Sequence, residues 1–342
     1  MRRRLNRKWV LSAGIISLFG VLFLRSLGGF HFGDIAGTLA RLQPWQIGLL
    51  LWFNILIFLL FSSRWWLALH ALGHNVGYLV LSGYRLVAFG ISYFTPGPQI
   101  GGEPAQIHLL HKRQAVPVED ALASVSFDKL LEFLANFSFL AIGSGAALRS
   151  GLFPGLELYQ WFAWVVFLLL LPLMYLVGLW LGARPLGFLL SGLPHQVKEI
   201  ETVQKGVDAV QTVERQVSEF CLHQPKMVFT ACAASLLIWV FSVAEYGLTL
   251  RFLGASLSLP QILLALTAAR LAFLTPIPGG LGALEAGQVF ALSAMGFDPS
   301  LGISVAVVIR VRDVLLGSAG LVWGSFLSLR RFRMPAASLA GD

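Results

Sequence analysis

Thr95-Pro96-Gly97-Pro98-Gln99-Ile100-Gly101-Gly102-Glu103 lies inside an apolar region. It recurs in altered form as Thr275-Pro276-Ile277-Pro278-Gly279-Gly280-Leu281-Gly282-Ala283-Leu284-Glu285. Each copy stops a helix at Thr-Pro-x-Pro, where proline removes a backbone donor. Each then restarts the chain through glycines that accept unusual dihedrals. In lipid, backbone groups freed by such a break must be buried in protein or line a watery cavity. Two interrupted segments at corresponding places in two halves of a membrane chain point to a transport site.

The rest of the chain supports a membrane setting. Of 342 residues, 56% are hydrophobic and 12% charged, and the mean hydropathy is +0.75. A soluble domain carries about 25% charged residues. The apolar runs are long and continuous, which excludes the short alternating segments of a membrane barrel. The fold class expected is therefore an all-α polytopic integral membrane protein. The net charge of +8 is assigned to topology and anionic lipid headgroups rather than to nucleic acid, because most basic residues fall in short loops and tails. Cys221 and Cys232 form no disulfide framework and read as inert.

Taken in order, the chain reads as about six full spans and two re-entrant helical hairpins. Basic residues Arg2 to Lys8 precede an apolar run, Trp9–Leu24, read as a retained first span rather than a cleaved leader. Full spans follow at Trp45–Leu69, Asp120–Leu148, Tyr159–Leu181, Met227–Leu250 and Leu301–Leu329. Arg64-Trp65-Trp66 reads as an interfacial signature. Leu79–Phe94 and Ile100–Leu110 are each too short to cross comfortably, since a spanning helix needs about 20 residues. They read as the first re-entrant hairpin, although two complete tilted crossings would give the same parity, and Pro260–Met295 reads as the second. Between them, Pro194–Gln224 is polar, with Val197, Ile200, Val203, Val207, Val210, Val213, Val217 and Phe220 at helical spacing. This predicts an amphipathic helix on the cytoplasmic surface or beneath the bundle.

The domain organisation expected is one membrane domain over 1–342. It comprises a first span and outer loop (1–44), a first repeat (45–149) and a connecting span with the amphipathic helix (150–225). A second repeat (226–330) and a tail (331–342) complete it. With the N-terminus inside, cytoplasmic segments collect 17 of the 25 Lys and Arg residues, Arg64 and Arg85 among them. Outer segments hold Arg25, Arg41, Arg149 and Arg251. This asymmetry predicts a multi-pass protein of the cytoplasmic (inner) membrane with both termini cytoplasmic. The hairpins then open from opposite sides, so the halves are inverted repeats. A shared spacing of 25 residues, Glu103 to Asp128 and Glu285 to Arg310, links each break to a charged span.

Candidate site residues follow from that geometry. The half-helices beginning near Gln99–Gly102 and Gly279–Gly282 present N-terminal N–H groups that suit an anion, with Thr95, Gly101, Thr275 and Gly280 shaping the turns. Glu103 and Glu285 sit in their first turns, as dipole partners or as functional carboxylates. Ser124, Asp128, Glu132 and Asn136 make a polar stripe on one helix face, with Lys129 beside it. Arg270, Arg310, Arg312, Asp313 and Glu245 are further charges in apolar segments, with Arg310–Asp313 read as an i+3 pair. The plainer reading of all these charges is mutual neutralisation that fixes packing. His70 with His74 and His108 with His111 have ligand-like spacing, but no carboxylate or cysteine cluster accompanies them, so no metal is expected. No nucleophile elbow, P-loop, zinc motif or dinucleotide fingerprint occurs, so neither enzyme chemistry, a cofactor nor a nucleotide-driven pump is expected.

On TPGPQIGGE (Thr95–Glu103), Phe127-Asp128-Lys129, TPIPGGLGALE (Thr275–Glu285) and Arg310, the chain resembles the flippase-like membrane domain of lysylphosphatidylglycerol synthases, over roughly Trp45 to Leu329. The resemblance implies a polytopic helical domain with inverted halves that moves lipids between leaflets. Two departures stand out. Lys129 replaces the arginine usual after the aspartate, and the sequence ends without a soluble aminoacyl-transferase domain, so lysine transfer is not expected.

The leading functional expectation is a lipid flippase handling a phosphate-bearing or charged headgroup at the midplane, with the bilayer and its lipid as partners. A membrane-embedded transferase on a lipid-phosphate carrier, with Asp128 or Glu132 as base, is the rival. A lipid-binding scaffold without transport is the third reading.

Overall fold

The computed structural model describes residues 42–95, 101–151, 158–192, 200–275 and 277–329, together with residues 37 and 40. The span expected at Trp9–Leu24, site residue Gln99 with its neighbours 96–100, and the tail from 330 onward lie outside these.

Among the described residues there are eleven α-helices and no strands: α1 (Pro44–Ala71), α2 (Tyr78–Phe94), α3 (Glu103–Gln114), α4 (Val118–Ser150), α5 (Leu158–Trp180), α6 (Pro185–Ser191), α7 (Glu201–His223), α8 (Pro225–Phe252), α9 (Leu259–Phe273), α10 (Ala283–Ala294) and α11 (Pro299–Leu329). Proline opens several of them, where its missing N–H costs nothing. Ser258 and Gln261 close a capping box at the start of α9. The protein is all-α, as its composition implies. Helices Pro44–Ala71, Val118–Ser150, Tyr159–Trp180 and Pro225–Phe252 are long and apolar enough to cross a membrane. At 1.5 Å per residue, a 28-residue helix exceeds the ~30 Å hydrocarbon core. Helix α11 has comparable length, 31 residues, but carries Arg310, Arg312 and Asp313 near its centre.

Helices α2 and α3 form one antiparallel pair. The Gln114 side chain near the end of α3 donates to the Tyr84 hydroxyl near the start of α2, and the Gly102 N–H donates to Ser92 Oγ at the turn. Helices α9 and α10 form a second pair, in which Gln288 donates to the Ala265 carbonyl. The helix starts run in step across the chain: Pro44 with Pro225, Tyr78 with Leu259, and Val118 with Pro299 are each 181 positions apart.

Contacts between the two four-helix sets, α1–α4 and α8–α11, follow one rule. Helix α1 lies antiparallel along its counterpart α8. Trp45 meets Phe252, Asn54 meets Glu245, Arg64 meets Ser235, and Gln224 just before α8 reaches the Ala71 carbonyl. Helix α2 packs along α11 through Gly83, Gly90, Gly317, Gly320 and Gly324. A Cβ on Gly320 would fall 2.1 Å from the Leu86 carbonyl oxygen, and one on Gly90 would fall 2.5 Å from that of Gly317. Helix α4 meets α9 in the corresponding way, Gly143 against Thr267. Small residues bring these backbones together, as membrane helices commonly pack.

The core has three apolar clusters. One joins α1, α4, α5, α7 and α8 around Phe127, Leu131, Leu179 and Phe220. A second joins α4 and α8 to α11 around Tyr246, Leu250, Leu292 and Val305. A third ties α1 to α4 around Trp65, Leu81 and Leu110. The amphipathic helix α7 therefore packs against the bundle, burying Val217 and Phe220. Outward faces stay apolar: Trp161, Trp164, Phe167, Leu171 and Met174 of α5 are all exposed. That surface suits hydrocarbon rather than water.

Two expectations are corrected. Arg64 and Trp65 are not an interfacial pair but are buried, at 1% and 0% exposure, and Arg85 is buried as well. They face α4 because Asp128 lies opposite, so neither arginine counts toward the loop charge. The short helix α6 had no signal beyond Pro185 at its start.

Candidate functional site

Each chain break is built from the same parts. The Thr95 hydroxyl donates back to the Ile91 carbonyl at 2.9 Å, and the Thr275 hydroxyl to that of Ala272 at 2.6 Å. Each threonine thus satisfies the last turn of its helix before proline ends it. After the second break, Gly279 and Gly280 hold φ of +56° and +63°, which only glycine takes without strain. After the first, Gly102 sits so close to α2 that a Cβ would fall 2.1 Å from the Ala88 carbonyl oxygen. A glutamate and a cation from the next long helix then secure each restart. Lys129 Nζ lies 2.9 Å from Glu103 Oε1. Arg310 donates to Glu285 Oε1 at 2.9 Å through Nε and 2.5 Å through Nη2, and to the Gly279 carbonyl at 3.1 Å. The two breaks touch: a Cβ on Gly279 would fall 3.1 Å from the Tyr93 ring.

A cavity of about 240 Å³ opens beside the first break. Its walls come from α1, α2, α3 and α4 on one side and α8, α9 and α11 on the other. Three ion clusters line or back it. Asp128 is gripped by Arg64 Nε at 2.6 Å and Arg85 Nη2 at 2.7 Å. Lys129 is shared by Glu103 and Glu132, and Arg64 Nη2 approaches Glu132 at 3.8 Å. Arg312 bonds Asp313 at 2.8 Å and Glu245 at 3.4 Å, and Asn54 donates to Glu245 at 3.3 Å. Arg270 stands apart, with its guanidinium 4.7 Å from the Trp239 ring centroid. Buried charges persist only when partnered or when a ligand meets them.

Of the expected site residues, Gly102, Glu103, Asp128, Lys129, Glu132 and Arg270 line this cavity. Thr95, Gly101, Thr275, Gly279, Gly280, Gly282, Glu285 and Arg310 do not. Glu285 and Arg310 secure the second break away from the cavity. The N–H groups of Gly101 and Gly102 already have acceptors, Glu103 Oε2 at 2.7 Å and Ser92 Oγ at 2.8 Å. One further expectation is corrected: Asp313 binds Arg312, while Arg310, read as its i+3 partner, turns to Glu285. Lys129 pairs with Glu132 and with Glu103 of its own half. In the polar stripe, Asp128, Glu132 and Asn136 reach the cavity, whereas Ser124 accepts from Trp65 Nε1 at 3.2 Å.

Sequence reasoning missed Arg64 and Arg85 as partners of Asp128, and Asn54, Ser92, Gln106 and Tyr246 as lining. The usable signal was depth: Arg64 lies about two turns inside α1, too far from its end for a loop charge. Among the histidines, His74 Nε2 bonds Asp120 at 2.6 Å and His70 stacks on Trp66. Among the described residues, no group of three or more His, Cys, Asp or Glu could hold a metal.

Comparison with known proteins agrees with this architecture. A UPF0104 membrane protein of Methanothermobacter thermautotrophicus is 25% identical over 297 residues, covering 84% of this chain and 86% of its own length. A second UPF0104 membrane protein of that organism is 28% identical over 149 residues, 43% of this chain and 41% of its own. The family described as lysylphosphatidylglycerol synthase TM region matches residues 9–320. With nearly its whole length matched, broken helices included, the chain belongs to the lysylphosphatidylglycerol synthase TM region family.

Proposed function

We propose that this protein carries a lipid with a phosphate-bearing or otherwise charged headgroup between the leaflets of the cytoplasmic membrane. The headgroup passes through the charged cavity while the acyl tails remain in the bilayer. The observation that carries the reading is the cavity itself. Charged side chains of both signs stand among apolar ones in its lining, both four-helix sets wall it, and it lies in a protein whose outer surface is apolar. A route for a charged group across hydrocarbon needs such a lining.

In this reading α2–α3 and α9–α10 are re-entrant hairpins, at about 26 Å for the 17-residue α2 and less for the others. The halves are inverted repeats with both termini cytoplasmic. The antiparallel packing of α1 on its counterpart α8 supports inversion, since equivalent helices then cross in opposite senses. Ion pairs that close on one another when the cavity is empty re-form around the headgroup. The protein performs no bond chemistry and needs no cofactor. Its partners are the lipid cargo and the bilayer, not nucleic acid.

The test is leaflet exchange in proteoliposomes, read as the fraction of a fluorescent phospholipid made accessible to an external quencher. Wild-type protein should raise exchange well above protein-free vesicles, and Glu132→Gln with Asn136→Leu should return it toward that baseline. Exchange no faster than in protein-free vesicles would sink the proposal.

A further inference from the structure

Among the cations lining the cavity, Arg85, Lys129 and Arg312 each contact a carboxylate at 2.7, 2.9 and 2.8 Å. Arg270 differs. Among the described residues no carboxylate or carbonyl accepts from its guanidinium, and its one recorded contact is the face of Trp239. Trp239 is itself stacked on Phe139, with centroids 4.0 Å apart and planes at 8°. The cation thus rests on a fixed aromatic platform and keeps its N–H fork for something else. The charges acting on it are Arg312, which repels it, and Asp313, Glu132 and Glu245, which attract it. Arg312 holds Asp313 and Glu245, and Lys129 holds Glu132. The break amides at Gly101 and Gly102 are occupied too. An unpaired guanidinium in a membrane interior is costly unless an anion meets it, and its planar fork matches phosphate oxygens two at a time.

We infer that Arg270 is the docking point for a tetrahedral phosphate oxyanion in this cavity, carried on the lipid headgroup. This deepens the transport reading and rests on it. The same chemistry is offered by free inorganic phosphate, so both sources enter the test.

Full-length protein would be incubated with phosphatidic acid or with diacylglycerol of identical acyl chains, which differ only in the phosphate. Retention would be read by native mass spectrometry. Wild type should retain phosphatidic acid over diacylglycerol by roughly tenfold or more, the range for a charge-assisted bidentate pair. Arg270→Gln should lose that preference and Arg270→Lys should keep part of it. A preference unchanged in a folded Arg270→Gln protein overturns the inference.

Should that variant fail to fold, wild-type protein decides. Modification of Arg270 by phenylglyoxal, located by peptide mapping, should be blocked by phosphatidic acid and not by diacylglycerol. Equal labelling in both overturns the inference, and protection by inorganic phosphate alone overturns the lipid-borne source. Discrimination without leaflet exchange would defeat the transport reading and leave Arg270 standing. Wild-type exchange rates in Arg270→Gln, with discrimination absent from wild type, would do the reverse.

Discussion

Lys129 and Arg310 occupy equivalent positions on α4 and α11, and each binds the glutamate that opens the short helix packed against it. The equivalence is of placement, not of surroundings. Lys129 lines the cavity, while Arg310 is turned to the second break and the Gly279 carbonyl. One member of the pair lines the cavity and the other is committed to holding backbone.

Arg310→Met should destabilise the protein by about 2–4 kcal/mol, toward or below the low end for breaking a buried pair, because the carboxylate it strands is only partly buried. Glu285 already has Oε2 without a partner. The double variant Arg310→Met/Glu285→Met should recover much of the loss. Unfolding midpoints in detergent would check this, and a double variant no better than the single would show the pair is not what holds the second break.

Glu103→Gln and Glu285→Gln should separate function from stability. Glu103 faces the cavity and Glu285 does not. Leaflet exchange should fall with Glu103→Gln, whereas Glu285→Gln should lower thermal stability and leave exchange per folded molecule near wild type.

Asp128→Asn should be among the most damaging single changes. It leaves Arg64 and Arg85 facing each other in a buried site with no anion between them, at a cost of about 3–5 kcal/mol. The yield of monodisperse protein should drop sharply. Adding Arg85→Met, which removes one stranded cation, should restore part of it.

Gly320→Ala should disrupt the α2–α11 seam, since its added methyl meets the Leu86 carbonyl at 2.1 Å. Gly48→Ala, where a Cβ meets nothing within 4 Å, is the matched control. The seam variant should lose stability by about 1–3 kcal/mol, the ordinary range for overpacking, while the control should match or slightly exceed wild type.

Trp239→Leu should weaken phosphatidic acid retention several-fold, as a cation–π platform worth about 0.5–2 kcal/mol is removed. Trp239→Phe should retain part of the effect. Retention equal to wild type in Trp239→Leu would mean Arg270 needs no support from the ring.

Much of the fold was legible because the decisive signals are local. Thr-Pro-x-Pro acts through its own hydroxyl and missing N–H, so Thr95 and Thr275 could be placed from sequence. Long apolar runs bound their helices closely: Trp45–Leu69 became Pro44–Ala71, and Met227–Leu250 became Pro225–Phe252. Charge partners were harder, since they depend on helix rotation and depth. Arg64 beside two tryptophans resembles a headgroup anchor until α4 is seen to present Asp128 across from it. The 25-residue spacing found the right span after each break but not equivalent positions on it, since Glu103 lies 26 residues before Lys129 and Glu285 lies 25 before Arg310. Arg270 was legible as a charge in an apolar segment. That no carboxylate among the described residues pairs with it required the structure.

The seam between α2 and α11 also sets the order in which the molecule can be completed. Helix α2 ends at Phe94 and α11 begins at Pro299, so a ribosome working at about 5–20 residues per second leaves α2 waiting some tens of seconds for its partner. Through that interval its glycine face is unfilled, and the cavity lacks the wall that Arg312 and Asp313 supply. The nascent chain therefore carries this unpartnered face until α11 is inserted. Lesions in α11 are expected to lower the amount of protein in the cell.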